Sequence, residues 1–201
     1  MMRIMRKAPS NIRTTAKEVS HVRIVGAAAR AIRRSGYDGT GVADIMKEAG
    51  LTHGAFYAHF ASREAMLAEA ADRAGAESVA AAAGVVAAVP PGKCLQALIR
   101  AYLSKAHLEA IETGCPISAL GSEMPRQSPA VRRAATRRIK EMIDLVARQL
   151  PNWGQPGAHE RALVTVATMV GTLMLARAVD ESALSDALCD AALKSLAPAR
   201  T

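Results

Sequence analysis

Apolar residues recur every three or four positions along most of this chain, the spacing that places them on one face of an α-helix. In the first predicted helix, Ala16 to Ser35, the residues Val22, Val25, Ala29 and Ile32 follow this spacing. We find no alternation of apolar and polar residues of the kind that is typical of a half-buried strand. The pattern therefore predicts an all-α protein of about nine helices.

The chain from residue 36 to residue 63 reads GYDGTGVADIMKEAGLTHGAFYAHFASR, which predicts two short helices joined by a tight turn. Val42, Ile45 and Ala49 fall on one face of the first short helix. Gly50 is expected to end that helix, because glycine readily adopts the left-handed conformation that follows a helix C-terminus.

The second short helix is predicted to begin after Thr52, a residue type suited to the N-cap. Phe56 and Phe60 lie one turn apart on one face, whereas His53 and Tyr57 lie one turn apart on another. We expect the phenylalanines to be core residues and the other face to be exposed. An exposed imidazole and phenol on the second helix indicate a helix-turn-helix that reads the DNA major groove.

The rest of the chain continues in helices that proline and glycine separate. A long helix is predicted from Ser62 to Val89, where Pro90 ends it because proline cannot continue a helix. Pro116 and Pro129 take the first-turn position that proline favours. Further helices are predicted over residues 93–113, 116–123, 129–150, 158–179 and 183–197, the last of them capped by Ser182.

The helix that contains Ala162 to Ala176 is apolar almost all round, with the sequence ALVTVATMVGTLMLA. A helix of this kind must be buried on more than one side. A small domain covers one side, so we expect a partner subunit to cover the side that carries Ala167, Gly171 and Met174. The alternative is a fully internal helix of a monomer.

Positive charge is concentrated at the N-terminal end. The net charge is +8; the first 63 residues hold 11 Lys and Arg against 4 Asp and Glu, whereas the remaining 138 hold 15 against 14. This distribution indicates a phosphate-binding module joined to a domain with another task. Residues 1–16, with Arg3, Arg6, Lys7 and Arg13, are predicted to form a flexible basic arm, either a solubilising tail or an arm that contacts DNA.

Cysteine usage and motifs limit the class of protein further. Cys94, Cys115 and Cys189 are an odd number at wide spacings, which favours reduced thiols in the cytoplasm. The N-terminus lacks the apolar segment of a secretory signal, and the longest uncharged stretch, 15 residues, is shorter than the roughly 20 that span a bilayer. Hydrolase, phosphate-loop and zinc-protease motifs are missing. We therefore expect a cytoplasmic protein that is not an enzyme, binds no metal or cofactor and does not contact the membrane.

The elements GYDGTG, LTHGAFYAHF and SRE, in this order over roughly the first third of the chain, resemble the TetR family of bacterial transcriptional regulators. The resemblance implies a three-helix helix-turn-helix domain, joined by a long fourth helix to a helical ligand-binding and dimerisation domain. We place these domains at residues 17–75 and 76–201, after the arm at 1–16. The resemblance further implies a homodimer paired through its last two helices and a palindromic double-stranded DNA operator. It also implies repression, and release of DNA by a small-molecule effector.

The resemblance also implies which residues contact DNA, by phosphate binding, by base reading or by close backbone approach. These are Thr40 and the backbone N–H of Gly41 (phosphate), Thr52 (cap and phosphate), His53 (base edge), Gly54 (close approach), Ala55 (thymine methyl), and Tyr57, His59 and Arg63 (phosphate). Because His53 stands where the family often has Lys or Arg, the bidentate guanine contact that they offer is missing there.

The C-terminal domain is expected to hold the effector pocket, lined mainly by Leu, Met, Ile and Ala. Its possible polar contacts are Tyr102, His107, Ser118 and Glu123. Each of them could equally be a surface residue, or a buried polar residue whose hydrogen bonds are made within the protein.

Cys115 precedes Pro116 at a predicted helix start, where free N–H groups and the helix dipole lower a thiol pKa. The segment GCPISALGSE resembles one branch of the family, some of whose members respond to electrophiles or oxidants. Cys115 is thus either a thiol sensor or a buried, inert residue.

A non-specific architectural DNA-binding protein is the main alternative, because it too would be basic, helical and dimeric. Confinement of the charge to one end favours the regulator. The two classes differ in selectivity: a regulator should prefer one palindrome over random DNA by about 10³-fold or more, and an architectural protein should not.

Overall fold

The computed structural model describes residues 10–197 of the 201-residue chain, with side chains from residue 16 onward. Within that range the chain forms nine α-helices, two short 3₁₀ helices and no strand, which confirms the predicted all-α fold. The helices are α1 Ser10–Ser35, α2 Val42–Glu48, a 3₁₀ helix His53–Ala58, α3 Arg63–Ala87, α4 Cys94–Tyr102, α5 Lys105–Glu109, α6 Pro116–Leu120, a 3₁₀ helix Met124–Arg126, α7 Pro129–Ala147, α8 Ala158–Ala178 and α9 Ser182–Ser195.

An N-terminal core forms where α1, α2, the first 3₁₀ helix and the first half of α3 meet. Ile24 and Ile45 are fully buried in it, and Phe56 and Phe60 are 3% and 5% exposed. The two phenylalanine rings stack with centroids 5.6 Å apart. Their predicted place in the core is confirmed, and the opposite face of the 3₁₀ helix is left toward solvent.

A second core lies among α4, α7, α8 and α9. Leu98, Val146, Met169 and Leu173 are each at most 2% exposed within it. Among the described helices, α8 is the one whose length and composition would allow it to cross a membrane. One side of α8 packs against α7 and α9, and 33% of its most apolar window is buried, so the test is weak evidence of a membrane span.

α3 belongs to both cores. It is about 37 Å long at 1.5 Å per residue, and α7 packs closely along its middle. A Cβ atom added at Gly75 would lie 2.5 Å from the Cβ of Arg138. Beside this contact, the Arg138 guanidinium donates two hydrogen bonds of 2.7 Å to the carboxylate of Asp72. The middle of α3 is therefore held to α7 by close packing and by a bidentate ion pair.

Some helix boundaries differ from the sequence prediction. α1 begins at Ser10, so residues 10–16, predicted to belong to a flexible arm, are helical, and the rest of that arm lies outside the described residues. The predicted helix 93–113 is two helices, because the Ser104 hydroxyl accepts a hydrogen bond from the N–H of His107 and starts α5 there. Ser182 is the first residue of α9 rather than its cap.

Candidate DNA-binding surface and ligand cavity

The turn between α1 and α2 is fixed by contacts from two other parts of the chain. Gly36 has φ +77°, the left-handed conformation that glycine tolerates and that lets the chain leave α1. The N–H of Tyr37 donates to Glu123 Oε2 at 2.8 Å, and the Tyr37 carbonyl accepts from the Arg63 guanidinium. The backbone of this turn therefore depends on the start of α3 and on the loop after α6.

Two of the residues predicted to bind phosphate are turned toward the protein. Thr40 is 5% exposed, and its hydroxyl donates to the carbonyl of Gly36 at 2.7 Å. Arg63 donates to the carbonyl of Thr40 at 3.1 Å as well as to that of Tyr37. The Thr40 hydroxyl is therefore used within the turn, which does not favour its predicted phosphate contact. Arg63 also holds the turn, but it does so through Nη2 alone, so its other N–H groups leave the predicted phosphate contact open.

The 3₁₀ helix His53–Ala58 presents an exposed surface next to this turn. His53 is exposed and Tyr57 is 73% exposed, with their rings edge to face and centroids 6.1 Å apart. A Cβ atom at Gly54 would meet nothing within 4 Å, so the backbone is open to close approach. The segment is shorter and tighter than the predicted α-helix. Thr52 occupies the N-cap position, but its exposed hydroxyl makes no capping hydrogen bond.

The remaining predicted DNA-contact residues differ in their exposure. Gly41 is exposed and is the N-cap residue of α2, whereas Ala55 is half-buried against the N-terminal core. His59 is half-buried beside α1, with its ring centroid 5.8 Å from that of His21. Its Nδ1 is buried without a hydrogen-bond partner among the described residues, and burial, with the nearby charges of His21 and Lys17, lowers its pKa. His59 is therefore less accessible than the exposed His53 and Tyr57.

A cavity of about 290 Å³ lies between α3, α6, α7 and α8. Its walls are mainly apolar and include Val79, Met142, Val166 and Met169. The ring of Tyr37, from the turn before α2, is also part of the wall. Sequence reasoning missed this role of Tyr37, because a single turn residue between two helices has no periodic signal.

Three residues predicted from the sequence meet at one side of the cavity. Tyr102 and Cys115 line it and are 6% and 5% exposed. His107 lies between them: its Nδ1 donates to the carbonyl of Tyr102 at 2.7 Å, and its Nε2 accepts from the N–H of Cys115 at 3.0 Å. A carbonyl only accepts and an amide N–H only donates, so this geometry requires neutral His107 with its hydrogen on Nδ1. Burial lowers the pKa of His107, which agrees with that neutral form.

The other two predicted polar contacts have partners within the protein. The Ser118 hydroxyl donates to the carbonyl of Cys115 at 2.9 Å and accepts from the Arg177 guanidinium at 2.9 Å. Arg177 also donates to the carbonyl of His107 at 2.7 Å, which ties α8 to α5 and α6. Glu123 contacts the turn at Tyr37 and is not among the residues that line the cavity. Ser118 is thus a buried group with hydrogen-bond partners, and the half-buried Glu123 accepts a hydrogen bond outside the cavity.

The cysteines are free thiols, and Cys115 is the buried one, whereas Cys94 and Cys189 are half-buried. The prediction placed Cys115 beside accessible N–H groups at a helix start. In the structure α6 has only five residues, and Cys115 is buried and lines the cavity. Across residues 10–197, no group of three or more His, Cys, Asp and Glu side chains is placed to hold a metal ion.

A second connection joins the N-terminal domain to the cavity region. Arg33 of α1 is 3% exposed, and its guanidinium forms an ion pair with Glu77 of α3 at 2.7 Å. The same guanidinium donates to the carbonyl of Gly114 at 3.2 Å. Gly114 directly precedes Cys115, so a buried arginine of α1 contacts the segment that forms part of the cavity wall.

The outer face of α8 carries apolar residues that the described chain leaves uncovered. Ala167 is exposed and also lines the cavity, Gly171 is half-buried and Met174 is 42% exposed. Larger side chains extend the same apolar face, namely Leu163 at 42%, Val164 at 63% and Leu175 at 50% exposure.

Comparison with known proteins gives a consistent result for both halves of the chain. Residues 24–70 match the family described as bacterial regulatory proteins, tetR family, and residues 91–187 match the LmrA/YxaF-like C-terminal domain of transcriptional regulators. The uncharacterized HTH-type transcriptional regulator Rv0196 of Mycobacterium tuberculosis is 34% identical over 165 residues, which is 77% of this chain and 82% of that protein. The HTH-type transcriptional regulator LmrA of Bacillus subtilis is 28% identical over 160 residues, 78% of this chain and 85% of LmrA.

Solved structures of regulators share the fold. A TetR-family regulator from Chloroflexus aurantiacus has a TM-score of 0.74 and 26% identity, and it covers 90% of this chain and 96% of its own. The reduced form of Escherichia coli NemR has a TM-score of 0.75 and 19% identity, and the match covers 88% of this chain and 94% of the NemR chain. These relatives are bacterial transcriptional regulators, which are soluble DNA-binding proteins and not enzymes. The chain, with its helix-turn-helix domain and helical C-terminal domain, belongs to the TetR family of transcriptional regulators.

Proposed function

We propose that this regulator is a cytoplasmic repressor that binds a palindromic operator as a homodimer and releases it when a small molecule enters the cavity. The observation that carries the proposal is the position of Tyr37. Its ring lines the cavity, while its backbone N–H and carbonyl are bonded to Glu123 and Arg63. A molecule that displaces this ring would therefore move the turn from which α2 and the 3₁₀ helix continue.

In the proposed complex, the exposed surface of the 3₁₀ helix enters the major groove. His53 is assigned to a base edge, because a neutral imidazole can donate or accept there. Thr52, Tyr57 and the N–H of Gly41 are assigned to phosphates, and Gly54 allows the backbone to come close. Ala55 is assigned to a thymine methyl at the edge of this surface. Thr40 and His59 are left out of the set that touches DNA. Arg63 is assigned to a phosphate as well, because only its Nη2 is bonded to the turn.

The proposed dimer packs the outer faces of α8 and α9 against those of the partner subunit. The uncovered apolar residues of α8, with Ala167, Gly171 and Met174 among them, support this arrangement, since an isolated monomer would expose them to water. A two-fold dimer presents two equivalent reading surfaces, and this symmetry is the reason to expect a palindrome.

Coupling between the cavity and the DNA surface follows two sets of contacts. One is the Tyr37 turn, and the other is the bond from Arg33 to the Gly114 carbonyl beside Cys115. An effect of about 1–3 kcal/mol through such contacts changes DNA affinity about 5-fold to 150-fold, which suffices for regulation.

Selection of random duplex DNA by the purified protein, repeated at raised salt, tests the DNA-binding part of the proposal. Raised salt suppresses non-specific phosphate binding. Recovery of one palindrome with two half-sites is the expected result, and His53→Ala should alter the preferred base in each half-site. If bulk DNA binds but no sequence is enriched, the architectural alternative replaces the regulator.

The dimer is tested by a matched pair of substitutions. Gly171→Arg introduces a large charge on the proposed α8 interface, whereas Gly84→Arg makes the same change on an exposed position of α3; an added Cβ meets nothing within 4 Å at either site. We expect sedimentation to show a monomer for Gly171→Arg and a dimer for Gly84→Arg. Equal dimerisation of both variants would contradict the proposed interface.

Chemical modification of Cys115 is a second proposed route to DNA release, because this thiol faces the same cavity as Tyr37. N-Ethylmaleimide, which is uncharged and small, should weaken operator binding by the wild type but not by Cys115→Ser. Since Cys94 and Cys189 remain in that variant, they serve as an internal control. Unchanged operator affinity after stoichiometric labelling of Cys115 would exclude this route.

A further inference from the structure

We infer that the cavity takes an uncharged, mainly hydrocarbon molecule with one hydroxyl group, and that this hydroxyl bonds to the phenol of Tyr102. The inference rests on the proposed function only in taking the cavity as the effector site. It goes beyond that proposal because it gives the chemical class of the ligand and the atom that holds it.

The Tyr102 hydroxyl is a buried polar group whose neighbour is the Cys115 thiol, a weak hydrogen-bonding group. The residue is 6% exposed and lines the cavity, and its hydroxyl oxygen makes no hydrogen bond of regular geometry among the described residues. Buried polar groups are hydrogen-bonded in nearly all proteins, so such an exception needs an explanation. Because burial raises the pKa of Tyr102, the phenol keeps its hydrogen and can both donate and accept.

Tyr102 is not free to turn toward a partner elsewhere in the protein. Its carbonyl is bonded to His107, and the His107 ring packs edge to face on the phenol with centroids 4.7 Å apart. His107 is itself held by the N–H of Cys115. The position of the phenol is thus set before any ligand arrives, as expected for a group that orients one.

The rest of the cavity excludes charge. Arg138 is the charged side chain among the residues that line it, and its guanidinium is already paired with Asp72 at 2.7 Å and with Glu141 at 2.8 Å. A charged ligand would lose its hydration. Arg177, a cation near Tyr102 that does not line the cavity, already donates to Ser118 and to the carbonyls of Leu108 and His107. Apolar side chains such as Ile139, Met142 and Val166 make up the wall instead, so the ligand must be apolar except where it meets Tyr102.

Three probes with the same ring system test this assignment: naphthalene, 2-naphthol and 2-naphthoate, titrated calorimetrically into the purified protein without DNA. We expect 2-naphthol to bind about tenfold more tightly than naphthalene, the size of effect that one net hydrogen bond gives. The anion 2-naphthoate should bind more weakly than naphthalene. Binding of 2-naphthoate more tightly than 2-naphthol would overturn the uncharged class.

Two matched variants locate the hydrogen bond. Tyr102→Phe should reduce the preference for 2-naphthol over naphthalene to within about twofold, whereas Tyr37→Phe, which removes the other phenol in the wall, should keep it. Tyr102→Phe should also melt at or above the wild-type temperature, because it removes a buried hydroxyl that makes no hydrogen bond of regular geometry. A preference that survives Tyr102→Phe, or that disappears in Tyr37→Phe, would overturn the assignment.

Palindrome selection by the unliganded wild type, measured beside its preference for 2-naphthol over naphthalene, separates this inference from the proposed function. If the protein prefers 2-naphthol through Tyr102 but selects no palindrome, the ligand site is supported and the proposed regulatory function is contradicted. If it selects a palindrome but shows no such preference, the regulatory function is supported and the ligand site is contradicted.

Discussion

Arg33 of α1 and Glu77 of α3 form an ion pair of 2.7 Å in which the arginine side chain is 1% exposed and the glutamate 35%. The same guanidinium also donates to the carbonyls of Ala29 and Gly114. A buried charge requires such a set of partners, since an uncompensated one is costly. The pair therefore fixes α1 against α3 at the point where the N-terminal domain meets the cavity region.

Removal of the carboxylate in Glu77→Ala should lower the free energy of unfolding by about 1–3 kcal/mol. The loss arises because Arg33 would keep its buried charge without its ionic partner, and the partial exposure of Glu77 limits its size. Arg73→Ala is the control, since Arg73 also contacts Glu77 at 2.6 Å but is 49% exposed. Urea unfolding should show a change within about 0.5 kcal/mol for this control. Equal losses in the two variants would contradict the importance of burial.

Close packing of α3 on α7 makes Gly75 sensitive to a single methyl group. In Gly75→Ala, the new Cβ would lie 2.5 Å from the Cβ of Arg138, an atom that cannot move without α7. We expect a loss of about 1–3 kcal/mol in urea unfolding, as for other overpacked sites. Gly84→Ala in the same helix has open space and should gain about 0.5–1 kcal/mol from its better helix propensity. A stabilised Gly75→Ala would show that the two helices separate easily.

The turn at Gly36 should respond to substitution together with Glu123. Gly36→Ala places a Cβ at positive φ and 2.5 Å from Glu123 Oε1, so it should cost about 1–2 kcal/mol and disturb the bond to the Tyr37 N–H. In the double variant Gly36→Ala/Glu123→Ala the collision is removed. The combined loss, measured by urea unfolding, should therefore be smaller than the sum of the two single losses. Strict additivity would show that the two residues do not interact.

Stability should fall as the pH drops below about 6.5, in part through His107. Its folded pKa is lowered from the ordinary value of 6.5 by burial, so the unfolded chain takes up the proton first and is favoured. The nearby groups Tyr102, Cys115 and the cationic Arg177 offer no negative charge to offset a protonated imidazole. The stabilising contribution is complete above pH 6.5 and is lost as the pH falls toward the lowered folded pKa.

The measurement is the free energy of unfolding in urea at pH 7.5 and pH 5 for wild type and His107→Gln. The variant should lose less stability between the two pH values than the wild type does. His59→Gln should remove a separate share, because the pKa of His59 is also lowered. An unchanged pH dependence in His107→Gln would show that its hydrogen bonds do not require the neutral ring.

Helical periodicity, proline and glycine positions and the element LTHGAFYAHF were enough to predict the all-α fold, the family and the burial of Phe56 and Phe60. These features are local: they depend on residues within a few turns of each other, so the sequence contains them directly. The exposure of His53 and Tyr57 on one side of the 3₁₀ helix follows from the same spacing.

Contacts between residues far apart in the chain were decided only by the tertiary structure. Arg63 holds the Tyr37 turn, Arg33 reaches Gly114, and Arg177 reaches Ser118, over separations of 26, 81 and 59 residues. No local pattern records such pairs, because each partner is an ordinary residue in its own helix or turn. Whether a polar side chain is satisfied or free depends on these partners, and for this reason Tyr102 could be distinguished from Ser118 and Glu123 only after the helices were packed together.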